Sequence, residues 1–454
     1  MVLDRLALSR LALVAMIVAS VAACGQSGSR DRAPPPSARP ADSVSDVAEG
    51  ASCTRDACAL PAVARDGLDG WADVERRAGG DAAHGKALVA KYECNRCHEG
   101  TGQPAPALDR QCVGCHQLVA AERLPFPRPQ LDAWQKATRH YITTPSLATL
   151  GRTLRPSWIA SFLHEPVKIR PHEEEWMPRL SIPEGDARDL AAFLVAGADP
   201  PGETTLDGDV ERGKEIVSRK GCFVCHEFSG AGRTDVGMEV LKVAPELLAR
   251  GIVQAPDLRL ARERFRPDAL TRWIHDPRGV RADAIMPTLG LTEQEARDAA
   301  AYVLTTPLAP THAEPVMARL PILPRRVSYD EVASRVFRKS CTHCHADPGS
   351  EGDPGPGSTG GFGFAPRGVA LLSYPGTQRG YVADDGARRS LLVGEPELAR
   401  WGGSRLVAAL TARHEETAGR PVPEVRGMPM GLPGLPAEEI QLVETWVSQG
   451  APRQ

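Results

Sequence analysis

Cys94-Asn95-Arg96-Cys97-His98, followed closely by Cys112-Val113-Gly114-Cys115-His116, is the stretch whose reading decides the fold. The pattern returns as Cys222-Phe223-Val224-Cys225-His226 and Cys341-Thr342-His343-Cys344-His345, so eight of the eleven cysteines lie in four pentapeptides of one design. At this Cys and His content, chance would supply about 0.007 such sites per chain. Two thiols on one turn with an imidazole beside them give three anchors on one face. Zinc is the nearest competing reading, because Cys94 to Cys115 holds two Cys-x-x-Cys pairs near zinc-ribbon spacing. A ribbon explains neither the His after each pair nor the isolated copies at Cys222 and Cys341. Thioredoxin-like redox chemistry and plain disulfides need no trailing His either.

The reading that uses every residue is covalent haem attachment: the thiols reach the two vinyl groups, and the His presents its imidazole to the iron. Composition agrees. With 40 Pro, 43 Gly and 5% aromatic residues in 454, the domains must be small, loop-rich and weakly cored by protein alone. Something else should fill their interiors. The net charge of -3, with Arg scattered rather than clustered, argues against a nucleic-acid partner.

The N-terminus reads as an export signal. Arg5 and Arg10 precede an apolar run from Leu11 to Val21 that is short for a membrane span. It ends in Val21-Ala22-Ala23-Cys24, which resembles the lipobox of bacterial lipoproteins, in which the Cys is acylated. Residues 1–23 are thus expected to be a signal peptide and 24–66 a flexible tether. Cys53 and Cys58, spaced for no fifth haem, are expected to form a local disulfide.

Over nearly all of residues 80 to 452 the chain resembles class I cytochrome c domains. A leading helix places Gly85 nine residues ahead of Cys94 and Gly213 nine ahead of Cys222. In that family the small residue lets the first and last helices cross beside an aromatic side chain, a role that Phe193 and Tyr302 fit. Downstream come Met177-Pro178, Met286-Pro287 and Met428-Pro429, each before an amphipathic helix with cap chemistry: Ser181 with Glu184, Thr292 with Glu295, and Pro436. The resemblance implies that these Met residues are sixth iron ligands; a thioether favours the ferrous state and raises the potential. Met430 is the rival to Met428. The third copy departs by having Val332 where Gly is expected and a Gly-rich insertion after its motif.

The expected architecture is all-α, with tandem helical domains around four covalent haems c: a dihaem domain over 67–200 and monohaem domains over 201–311 and 325–454. The attachment thiols are Cys94, Cys97, Cys112, Cys115, Cys222, Cys225, Cys341 and Cys344, and the iron-binding imidazoles His98, His116, His226 and His345. Because Met177 cannot serve two irons, the haem at His116 needs another ligand. His140 is the candidate, with His172 and His164 as rivals. The repeat His164-Glu165-Pro166 and His275-Asp276-Pro277 reads as a structural hydrogen bond. His84, His312, His343 and His414 read as surface residues. The function expected is electron transfer between redox proteins at the periplasmic side of a bacterial membrane, anchored by lipid at Cys24. The alternatives are a peroxidase or nitrogen-oxide reductase with an open haem at His116, aided by Arg110 or Arg139, and a haem sensor or structural subunit of a respiratory complex.

Overall fold

The computed structural model describes residues 79–197, 207–231, 243–310, 315–347 and 367–454, all within one compact unit. The signal segment, Cys24, the tether with Cys53 and Cys58, and His312 lie outside the described residues. The described chain is all-α, as expected; its only strands are β1 (Tyr381–Val382) and β2 (Arg388–Arg389), a short antiparallel pair.

The first lobe contains α1 (Ala82–Lys91), α2 (Cys112–Ala120), α3 (Arg128–Ala137), α4 (Pro156–His164) and α5 (Glu184–Val195). Asp81 caps α1, accepting from the backbone N–H of Ala83 at 2.8 Å and of His84 at 3.1 Å. Leu88, Val89, Ile182, Ala187 and Leu190 pack where α1 crosses α5. A Cβ on Gly85 would overlap the carbonyl oxygen of Asp189 and press on Phe193, which is why the smallest residue stands there. A separate small core, with Cys115, Val119, Leu131 and Trp134, joins α2 to α3.

The second lobe repeats this plan with α6 (Val210–Arg219), α7 (Pro245–Gln254), α8 (Pro267–His275) and α9 (Glu293–Thr305). Asp209 caps α6, and Gly213 meets the Asp298 carbonyl and Tyr302 as Gly85 meets Asp189 and Phe193. Thr292 and Glu295 form the expected reciprocal capping box on α9. The matching box in the first lobe does not form. Ser181 sits at φ 54° and accepts from Arg426 Nε at 3.0 Å, while Pro183 precedes α5 without a side-chain cap. A contact with the third lobe has taken the hydroxyl that local chemistry would have used.

The third lobe holds α10 (Tyr329–Val332), α11 (Arg405–Thr417) and α12 (Ala437–Ser448) around the largest core, including Val332, Phe337, Leu442 and Trp446. A π-helical turn, Ala333–Phe337, follows Val332 directly.

Equivalent segments join the first two lobes. Leu154 and Phe265 form an antiparallel bridge, with Arg155 N–H donating to the Arg264 carbonyl at 2.9 Å and Arg266 N–H to that of Thr153 at 3.1 Å. The third lobe docks on the first: Trp176 N–H donates to the Gly431 carbonyl at 2.9 Å, Tyr141 Oη to the Met430 carbonyl at 2.8 Å, and Arg179 Nη1 to that of Val422 at 2.9 Å.

Candidate functional site

Each pentapeptide is a tight turn that brings its two cysteines and histidine together. The N–H of His98 reaches the Cys94 carbonyl at 2.9 Å, that of His226 the Cys222 carbonyl at 3.0 Å and that of His345 the Cys341 carbonyl at 2.9 Å; the second motif lies within α2. All eight thiols are unpaired with one another as disulfides. Among the described residues no group of three or more His, Cys, Asp or Glu is arranged to hold a metal ion, so the first two motifs are not folded as a zinc ribbon.

Three motif histidines are oriented by the backbone. His98 Nδ1 meets the Pro145 carbonyl at 2.9 Å, His116 Nδ1 that of His140 at 2.7 Å and His226 Nδ1 that of Pro256 at 2.8 Å. A carbonyl oxygen can only accept, so Nδ1 carries the proton and Nε2 is left with its lone pair. Burial lowers the pKa of all four rings, His116 and His345 to about 4, which keeps them neutral at pH 7. Neutral imidazole with a free Nε2 is the form that binds a metal. His345 differs: its Nδ1 is buried with no hydrogen-bond partner among the described groups.

The motifs of the first and third lobes converge. The thiols of Cys97 and Cys112 are close enough to shift each other's pKa, Cys97 upward and Cys112 downward. Burial, with a smaller contribution from the neighbouring Cys112, pushes Cys344 up to about 11. The rings of His116 and His343 lie with centres 5.8 Å apart. The sequence gave no sign of this, since His343 is remote along the chain and reads as a surface residue.

Met177 packs against the first core beside Cys94 and Leu163, and Met428 against the third core, whereas Met430 leaves the third lobe to pack on the first core. That division favours Met428 as the donor belonging to the third lobe. Met286 is half-buried in the second lobe, in the loop ahead of α9.

His140 is not placed where the sequence reading required. Its carbonyl holds Nδ1 of His116, behind that ring and away from Nε2, while its own ring meets Glu175 at 3.4 Å and accepts from Arg139 Nε at 3.1 Å. A His side chain is too short to reach from there around the partner ring to the far side of an iron on Nε2. The rivals lie elsewhere: His164 Nδ1 donates to the Ile182 carbonyl at 2.8 Å, beside the core that includes Cys94, and His172 pairs with Glu227 of the second lobe at 3.2 Å. Arg110 is paired with Glu93.

His275 repeats the His164 bond, to the Leu291 carbonyl at 2.9 Å. His414 is the unrecognised third copy, bonding the Leu435 carbonyl at 2.9 Å just before α12. The signal was its position at the end of the penultimate helix, hidden because the loop to α12 differs in length.

The surroundings suit a haem. Arg262 Nε, Arg264 Nε and Arg413 Nη2 are buried without a hydrogen-bond partner among the described groups. Burial pulls Arg264 down to about 10. Buried cations require an acceptor or an anion, and the propionates of haem are carboxylates. Paired thiols, a neutral imidazole, a nearby thioether and buried guanidinium groups with N–H donors to spare together match the chemistry of that group.

No curated protein and no solved structure matches the chain. Residues 210–307 match the family model of cytochrome c. That span runs from the start of α6 to just beyond α9 and encloses Cys222, Cys225, His226 and Met286. Over residues 210–307 the chain is therefore similar to a cytochrome c domain, a family that holds haem c covalently and uses it for electron transfer.

Proposed function

We propose that this protein is an exported, lipid-anchored tetrahaem c-type cytochrome that carries electrons between redox proteins at the periplasmic side of a bacterial membrane. The observation that carries the reading is the fourfold recurrence of the Cys-x-x-Cys-His turn, with three of its histidines locked in one tautomer by a backbone carbonyl. Bound haem supplies one-electron exchange at iron.

The chain's own part is to hold and exclude. Cys94 with Cys97, Cys112 with Cys115, Cys222 with Cys225, and Cys341 with Cys344 fix four macrocycles, and His98, His116, His226 and His345 offer Nε2 to the irons. Met177, Met286 and Met428 supply a soft neutral donor from the opposite side, which closes the iron to substrate and favours transfer over catalysis. The Nδ1 bonds keep the imidazoles of His98, His116 and His226 from rotating, so little would rearrange when an electron arrives. The convergence of Cys97, Cys112 and Cys344 supports short hops between first and third lobes. Lipidation at Cys24 with the tether would give the body reach from the membrane.

Haem quantitation on protein matured in a competent host tests the proposal. Four covalent haems per chain, with a ferric spectrum that is low-spin and indifferent to cyanide, is the expected result. Fewer haems would overturn the count, and a cyanide-responsive high-spin haem would favour an enzyme.

A further inference from the structure

We infer that the sixth ligand of the haem held by Cys112, Cys115 and His116 is His343, donated across the lobe interface from inside the third lobe's own attachment motif. The inference rests on the tetrahaem reading, in that it requires a haem at the second motif.

Three observations lead to it. His116 is committed through Nδ1 to the His140 carbonyl, so its ligating nitrogen faces away from the first lobe's own histidine candidates. Among the described residues, the ring of His343 comes near it, with ring centres 5.8 Å apart and planes inclined at 46°. Two imidazoles sharing one metal through bonds of about 2.0 Å place their ring centres roughly 6 Å apart. The spacing between these rings thus already matches that of a bis-imidazole pair.

The competing donors are placed elsewhere. His140 lies behind His116, His164 holds the turn before α5, and His172 is paired with Glu227. Met177 and Met430 both pack on the core that includes Cys94, which belongs to the first motif.

The motif itself explains how His343 is delivered. The two residues between the cysteines are Asn-Arg, Val-Gly, Phe-Val and Thr-His in the four copies, so the fourth alone carries an imidazole there. His345 serves the third lobe's haem, and His343, two residues before it, brings its ring up to His116. A haem ligated this way would staple the two lobes together, and its two imidazoles would give it a lower potential than the Met-ligated haems.

Full-length His343→Ala, His343→Gln and His140→Ala proteins, matured with haem, test the assignment. In His343→Ala and His343→Gln, all four haems should remain attached while one of the four becomes high-spin by ferric electron paramagnetic resonance. Added imidazole should return that haem to low spin, a rescue that a packing role would not produce. His140→Ala should stay wholly low-spin. If the first two variants fail to accumulate, His343→Met decides: retained ligation should give a low-spin haem with a raised potential. Four low-spin haems in both His343→Ala and His343→Gln, or an unchanged set of potentials in His343→Met, would overturn the assignment. A haem count below four in the unmutated protein would instead overturn the reading on which it rests.

Discussion

The second and third lobes solve the same helix crossing with opposite chemistry. In the second, Gly213 lets α6 lie directly on α9, and the buried carboxylate of Asp298 ties the pair. It accepts from Asp209 N–H at 2.8 Å, from Arg212 Nε at 3.0 Å and from Gln294 Nε2 at 3.0 Å. In the third, Val332 stands in place of the glycine and buried Leu442 in place of the aspartate, four residues before the aromatic Trp446. The larger side chain is accommodated beside a π-helical turn, and Trp446, fully buried, is fixed by donating from Nε1 to the Pro452 carbonyl at 2.8 Å. The motif histidines follow the same divide, since His226 has a carbonyl behind it and His345 has none. A shared attachment motif therefore does not impose a shared frame; polar anchoring and apolar bulk are interchangeable around the same turn.

The sharpest way to break the comparison is Gly213→Val, which places in the second lobe the residue the third lobe tolerates. It should cost about 3 kcal/mol or more, because the obstacle is backbone rather than a movable side chain. Val332→Ala, which only leaves a void, should cost about 2 kcal/mol. Thermal unfolding followed by circular dichroism separates them, and equal costs would show that the two crossings are not distinct.

Met286→Ala and Met428→Ala should each turn one haem high-spin, and they also sharpen the contrast behind the histidines. Donation from His226 to a carbonyl makes that imidazole the more basic ligand and should stabilise its ferric state. In a redox titration, the step that disappears in Met428→Ala should then lie above the one that disappears in Met286→Ala; the reverse order would remove the significance of the missing Nδ1 partner.

Asp298→Asn should destabilise the second lobe by about 1–3 kcal/mol at neutral pH. Burial alone would raise the Asp298 pKa, but the Arg212, Asp209 and Gln294 hydrogen bonds together bring it below the usual value. Its stabilisation is therefore present above the unfolded carboxyl pKa, about 3.9, and is lost as pH falls through the lower folded value. Denaturant midpoints of the two proteins should converge in that acid range, and a constant gap would argue against the carboxylate.

The smallest effect concerns the caps. Thr292→Ala should cost about 1 kcal/mol by opening the box on α9, whereas Ser181→Ala, which caps nothing, should change α5 by only a few tenths of that. Equal losses in chemical denaturation would mean that Ser181 contributes through its contact with Arg426 as much as a cap does.

Much of the fold was legible along the chain because its causes are local. The Cys-x-x-Cys-His turn and the Thr292–Glu295 box each act within a turn or two, whereas the upstream Gly and its aromatic partners Phe193 and Tyr302 were expected from the resemblance to class I cytochrome c domains. The doublet His164 and His275 was readable as a structural bond because it repeats in sequence. The comparable bond of His414, made through Nε2 rather than Nδ1, was not readable because an intervening loop of different length breaks the repeat.

By itself the sequence determined where haem chemistry is anchored and that the frame is helical, since both depend on covalent neighbours and on periodicity. The tertiary structure alone decided that the His140 carbonyl lies behind His116, that Ser181 serves Arg426, and that His343 meets His116 across the junction of two lobes. Those contacts join residues far apart in the chain, and their partners are set by the docking of whole helices, a packing outcome on which no local spacing bears.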